Sequence, residues 1–173
     1  MDDDLSWLRL TRSRNVGPRS FQRLVGRYGS AKEALKALPE IANRAGERTY
    51  QLCSERQGAA EIERAEKLGA SMLRLGAPGY PSRLAEIADP PPFLWALGDA
   101  SLTERSTLAI IGARNASSIG RKLARMLASD LGADGHIIVS GLARGIDRVQ
   151  KSLTQWKKHT MYLAASVSHV SFV

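Results

Sequence analysis

Residues 107–147 read TLAIIGARNASSIGRKLARMLASDLGADGHIIVSGLARGID, and this stretch decides the fold. An apolar run, Leu108 to Ile111, breaks at Gly112. A helical pattern follows, with Ile119, Leu123, Leu127 and Leu131 four apart and Ala124 and Ala128 beside them. It ends over Gly132 to Gly135, and a second apolar run, Ile137 to Val139, breaks at Ser140-Gly141. Strand, turn, helix, strand, turn is the opening of a parallel βαβ unit.

Parallel strands run the same way, so the two turns fall at one edge of the sheet. The first runs from Gly112 through Arg114 to Ser117 and Ser118; the second contains Ser140, Gly141, Arg144 and Gly145. In open α/β sheets ligands sit outside the carboxyl ends of the strands. Glycine lets the backbone approach a ligand, the following helix offers unpaired N–H groups, and arginine adds a permanently charged fork. A phosphate-binding groove is the chemical reading of two such turns. The plainer reading is that Gly and Ser shape the turns, with Ser117 or Ser118 serving only as an N-cap.

The pair GARNASSIG and SGLARGID resembles the DprA/Smf family of DNA-processing proteins, which carry a G-x-R-x-x-S turn and, about thirty residues on, an S-G-x-A-x-G-I-D turn. Tyr80-Pro81-Ser82-Arg83-Leu84 and Pro90-Pro91-Pro92-Phe93-Leu94 match the family's lead-in to its first nucleotide-fold strand. The resemblance covers roughly residues 5–147. It implies a protein that binds single-stranded DNA at the βα turns, forms a homodimer and loads the RecA recombinase, with no catalytic residues, cofactor or metal. Arg114 is then the clearest phosphate ligand, with Gly112, Ser117, Ser118, Ser140, Gly141, Arg144 and Gly145 around it. The fold expected is α/β: a small helical domain (1–68), sterile-alpha-motif-like or helix-hairpin-helix-like, then the first part of a Rossmann-like parallel sheet (69–173), with 148–173 departing from the family.

Composition sets bounds on these readings. The apolar content of 43% is that of a globular chain. The acidic start, Asp2-Asp3-Asp4, and the lack of a long apolar run exclude a secretory signal and a membrane span. A single cysteine, Cys53, forms no intramolecular disulfide, and no Cys/His cluster suggests zinc. A cytoplasmic location is expected. The net charge of +8 suggests an anionic partner. Its distribution is uneven: residues 1–67 hold 13 basic and 10 acidic side chains, 68–147 hold 8 and 7, and 148–173 hold 4 and none.

The N-terminal part is locally basic. No acidic residue occurs from Leu5 to Ala31, whereas Arg9, Arg12, Arg14, Arg19, Arg23 and Arg27 do. Arg19, Arg23 and Arg27 are four apart and form one helix ridge, a secondary DNA contact or a solvated face, with Phe21, Leu24, Val25 and Tyr28 opposite. A first helix holds Leu5, Trp7, Leu8 and Leu10, and Gly17-Pro18 starts the second. Ser30 caps a third helix, Ala31 to Leu38, with Glu33 at the capping-box position. Pro39 to Gly46 reads as a break, 47–57 as a polar helix, and Gly58 leads into another helix, Ala59 to Leu68, closed by Gly69. Beyond it, Met72 to Leu75 and Phe93 to Leu97 read as strands, with Gly76 to Arg83 irregular and Pro90–Pro92 lying before the second strand or at an edge.

After Asp147 the family continues with a helix, a Gly turn and a strand of the T-I-A-V-L-A type. Here the last 28 residues contain none of the 15 glycines, and no acid follows Asp147. This composition shift suggests a truncated or frame-shifted product, monomeric and without the RecA contact. Val149 to Trp156 reads as a helix and Met161 to Val173 as one apolar strand, a hazard if left at a sheet edge. Two competing functions remain. One is a nucleotide-binding or nucleoside monophosphate-hydrolysing enzyme of a related fold, disfavoured by the absence of a P-G-G-x-G-T-x-x-E motif, of a P-loop and of an acid–base pair around Asp147. The other is a fragment that folds only in its helical part.

Overall fold

The structure, a computed structural model, describes residues 2–47, 49–105, 107–139 and 161–164. The second turn, the stretch 148–160 and residues 165–173 of the expected last strand lie outside these residues.

Helix α1 (Asp2–Arg12) has three aspartates in its first turn and Arg9 and Arg12 in its last, the charge order that complements the helix dipole. Proline at the first position opens α2 (Pro18–Tyr28), and Gly29, at φ +80°, closes it by returning its N–H to the Val25 carbonyl. Ser30 caps α3 (Ala31–Arg44), its hydroxyl accepting the Glu33 N–H at 3.1 Å. The break expected over Pro39 to Gly46 does not occur: α3 runs through Pro39 to Arg44. Proline removes one helix hydrogen bond. Burial of Leu35, Leu38 and Ala42 along one face carries the helix across that defect.

The polar helix expected over 47–57 is also corrected. Residues 49–54 are irregular, and at Ser54 a reciprocal capping box with Gln57 starts α4 (Glu55–Lys67). Gly58 lies inside this helix rather than before it. A Cβ there would meet Leu5 Cδ1 at 2.8 Å and Arg9 Cγ at 3.0 Å, so glycine sets how closely α1 and α4 approach.

Strand β1 (Ser71–Arg74) pairs antiparallel with β2 (Phe93–Gly98), Leu73 opposite Leu94. A short helix, α5 (Ser82–Ala85), begins at the end of the stretch expected to be irregular. The three prolines precede β2, as a central strand requires. On its other side β2 pairs antiparallel with β5 (Met161–Ala164), which takes the sheet edge. A 3₁₀ turn (Ala100–Glu104) leads to β3 (Thr107–Ala109), which ends before the expected Ile111. Helix α6 (Ser118–Ala133) then crosses to β4 (Ile137–Val139), parallel to β3. The βαβ opening is therefore present; among the described residues it is a two-stranded parallel sheet separate from the antiparallel one.

Helix α1 is buried from two sides. Its Leu10 joins Phe21, Ala34, Leu35 and Leu38 in the helical core. Its Leu8 joins Ala65 of α4 and Phe93 and Trp95 of β2. The Trp7 indole donates to the Pro92 carbonyl at 2.9 Å, and Tyr80 donates to the Pro91 carbonyl at 2.8 Å. The two proline-flanked motifs are thus joined, and the helical part is fastened to the sheet.

Helix α6 departs from its expected packing. Ala124 and Ala128 are buried, but Ile119 is 78% exposed, Leu123 54% and Met126 52%. The described strands β3 and β4, three residues each, do not cover the whole apolar stripe. Among the described residues, no helix is long and apolar enough to cross a membrane.

Candidate nucleic-acid interface

The register of the parallel pair, Ala109 opposite Val139, places the exits of β3 and β4 side by side. From β3 the chain runs through Gly112 and a turn at Arg114-Asn115 into α6. Gly112, Arg114, Ser117 and Ser118 are all exposed at this edge. Ser117 is the N-cap: its hydroxyl accepts the Gly120 N–H at 3.0 Å. The Ser118 and Ile119 amides precede the first intrahelical bond and have no carbonyl partner inside the helix. They share the positive end of the helix dipole with Arg114.

No acidic residue lies in the first turn of α6. Arg121 folds back to donate to the Ala116 carbonyl at 2.5 Å, which brings its guanidinium to the turn. Lys122 and Arg125 are exposed on the same helix. These three cations were not among the residues singled out from the sequence. The acid-free run from Arg105 to Ser129 is the signal that would have found them, the same signal that marked Leu5 to Ala31. Amides, a guanidinium fork and neighbouring cations, with no carboxylate among the described residues of the turn, make a surface suited to phosphate oxygens.

Ser140, Gly141, Arg144 and Gly145 lie outside the described residues, so the first turn alone is defined. The N-terminal ridge divides. Arg19 is ion-paired with Asp89. Arg23 and Arg27 are exposed and line a groove of about 560 Å³ with Arg14, which comes from the α1–α2 connection.

The titration shifts lie away from the turn and serve the fold. Burial pushes the Tyr80 phenol up to about 12. Burial likewise pushes the Cys53 thiol up, against the pull of Arg9 and Arg12. Glu61 is raised by burial, but its bonds from Arg12 and Trp95 and the charges of Arg12 and Arg64 outweigh this and leave it lowered.

Two family models match. "DprA-like N-terminal HHH domain" covers residues 1–64, and "DNA recombination-mediator protein A" covers 71–170. The second match passes Asp147, so the resemblance does not stop there as the composition suggested. The strand Met161–Ala164 falls in Thr160-Met161-Tyr162-Leu163-Ala164-Ala165, which fits the T-I-A-V-L-A type the family carries. Among relatives, the DNA processing protein DprA of Bacillus subtilis is 36% identical over 80 residues, 46% of this chain and 27% of that protein. Protein Smf of Synechocystis is 29% identical over 152 residues, 82% of this chain and 38% of that protein. The chain thus spans well under half the length of both. The X-ray structure of DNA processing protein A from Streptococcus pneumoniae shares the fold with a TM-score of 0.53 at 23% identity, over 86% of this chain and 52% of that one.

Proposed function

The chain belongs to the DNA recombination-mediator protein A family, the DprA/Smf family of DNA-processing proteins, and on that premise we propose that it binds single-stranded DNA in DNA processing for natural transformation and recombination. The observation that carries this reading is the exposed β3–α6 turn, where Arg114 stands beside the Ser117-capped helix start with no acid in the first helical turn. The Arg114 fork takes two oxygens of one phosphate, and the Ser118 and Ile119 amides take a neighbouring oxygen. Arg121, Lys122 and Arg125 extend the positive surface along α6. Ser140, Gly141, Arg144 and Gly145 are proposed to line the same edge, because β4 leaves the sheet beside β3.

Binding of this kind reads the backbone rather than the bases. It is sequence-tolerant and salt-sensitive. With aromatics at 6% of the chain, stacking adds little and the guanidinia carry the affinity. No bond is made or broken in this role. Dimerisation and delivery to RecA are what the resemblance implies for its relatives; this chain is proposed to act in the cytoplasm as a monomer without the RecA contact. Size-exclusion chromatography with light scattering reads the oligomeric state directly.

The experiment is a fluorescence-anisotropy titration of labelled oligothymidine, with unlabelled single strand and duplex as competitors. The expected result is saturable binding, displaced better by single strand than by duplex, with oligonucleotide length unchanged after incubation. Equal competition by duplex would overturn the single-strand assignment. Release of free base from a nucleoside monophosphate, abolished by Asp147→Asn, would favour the enzyme reading.

A further inference from the structure

The N-terminal helical part carries a second basic surface, away from the β3–α6 turn in sequence and built from different elements. Ser20, Arg23 and Arg27 are spaced three and four apart on α2, so they stand in one row along one wall of the groove. Arg23 and Arg27 are about 6 Å apart along the helix axis. Arg14 comes from the α1–α2 connection. Its position is held from both ends: Tyr50 donates its hydroxyl to the Arg14 carbonyl, and the neighbouring Asn15 donates to Glu47 at 2.8 Å. The floor between these walls is apolar, made by Val16, Leu24, Leu38, Ile41 and Ala42.

The charge on the groove is not neutralised. Arg14, Arg23 and Arg27 form no ion pair among the described residues, in contrast to Arg19, which Asp89 holds. Glu47 is the one acid among the described lining residues, and its carboxylate already accepts from Asn15. Arg27 lies over the Tyr28 ring, 5.5 Å from its centroid, which holds the guanidinium plane on the surface. The volume of about 560 Å³ is within the range of small-ligand sites. An apolar floor under a rim of guanidinia matches a body that is flat and apolar at one end and carries phosphate at the other.

We propose that this groove is a second, independent binding subsite for single-stranded nucleic acid. It holds one or two nucleotide units, with phosphates on Arg23, Arg27 and Arg14 and a base laid on the Leu24–Ile41 floor. This rests on the proposed function above for the identity of the ligand, while the groove itself rests on the α2–α3 geometry. Guanidinium planes and apolar side chains accept any base face, so the subsite is sequence-tolerant like the turn. The chain then engages one strand at two places, and each place contributes its own share of the salt dependence.

The test uses the full chain and labelled oligothymidine. Arg23→Gln with Arg27→Gln is compared with Arg114→Ala and with the triple variant, across a salt series. Both helix positions are exposed, and circular dichroism checks that the fold is kept. The expected result is a several-fold loss of affinity in the double variant, with the slope of log K against log salt shallower by about 1.4 for two lost phosphate contacts. A further loss should appear in the triple variant. With a short oligothymidine, methyl signals of Val16, Leu24 and Ile41 shift in the parent chain and not in the double variant. A double variant that matches the parent in affinity and slope, while Arg114→Ala is weakened, overturns the groove and leaves the turn. Loss in the double variant with Arg114→Ala unchanged supports the groove and removes the turn. Absence of binding by the parent overturns both. Displacement of the oligonucleotide by polyglutamate at equal charge concentration overturns nucleic acid as the ligand, in favour of an acidic protein segment.

Discussion

Arg12 grips Glu61 through both arms of its guanidinium, with Nε 3.0 Å and Nη2 2.7 Å from the two carboxylate oxygens. The same carboxylate accepts the Trp95 indole N–H at 3.0 Å, and the Arg12 guanidinium stands 5.1 Å from the centre of the Phe93 ring. Helices α1 and α4 and strand β2 therefore meet at one charged junction. Both partners are mostly buried, so the pair is poorly screened.

Replacement of that carboxylate tests the junction. Glu61→Gln removes one counter-charge from the half-buried guanidinium and is expected to cost on the order of 2 kcal/mol in urea unfolding. The pH dependence has a definite sign. Because the folded pKa is lowered, the contribution is present above the unfolded value near 4.3 and is lost as pH falls through the folded pKa. The parent should lose more stability than Glu61→Gln on acidification below about pH 4.3. Parallel acid limbs for the two proteins would mean that the pair contributes nothing.

Tyr80 contributes to the alkaline limb. Its folded pKa of about 12 lies above the unfolded value near 10. Its contribution is therefore complete below about pH 10 and decays as pH rises toward the folded pKa. Tyr80→Phe loses the bond to the Pro91 carbonyl, about 1 kcal/mol at neutral pH, and should flatten that alkaline decay. Thermal unfolding at neutral pH and in the alkaline range reads both effects. An unchanged alkaline slope would assign the decay to other groups.

Gly58 is a packing glycine. Gly58→Val places a branched side chain where Leu5 Cδ1 and Arg9 Cγ already lie within contact distance of a Cβ. Arg9 is tethered, donating to the Cys53 carbonyl at 3.0 Å and paired with Glu55 at 2.9 Å, so it yields little. The expected loss is about 2–3 kcal/mol, against the gain that leaving glycine behind brings to a helix. Stability equal to or above that of the parent would show that α1 and α4 separate without penalty.

Cys53 is buried, and burial raises its pKa. The thiolate is the reactive form. Iodoacetamide should alkylate Cys53 slowly in the folded chain and at the rate of a free thiol in urea. Rapid alkylation without denaturant would show that the 51–54 segment opens readily.

The sequence was informative where spacing alone decides structure. Periodicity located α6, the short strand Ile137–Val139 and the strand from Phe93, and Gly17-Pro18 marked the start of α2. It misled at Pro39 and Gly58. Each breaks a local rule, and what overrides the rule is tertiary: a buried face of α3 in the first case, contact with α1 in the second. The exposure of Ile119 and Leu123 was likewise not legible, because an apolar stripe does not reveal how wide a sheet lies beneath it. At the candidate site, Arg114 and the Ser117 cap were readable from the turn pattern. The diversion of Arg19 to Asp89 was not, since those residues are 70 apart in the chain. Nor was the return of Arg121 to the Ala116 carbonyl.

The most direct test of the account is the salt dependence of oligothymidine binding by Arg114→Ala beside the parent chain. If the β3–α6 turn grips a phosphate through Arg114, the variant binds more weakly at every salt concentration, and its slope of log K against log salt is shallower by about 0.7. Identical affinity and slope in the two proteins would contradict the claim that this turn holds the strand.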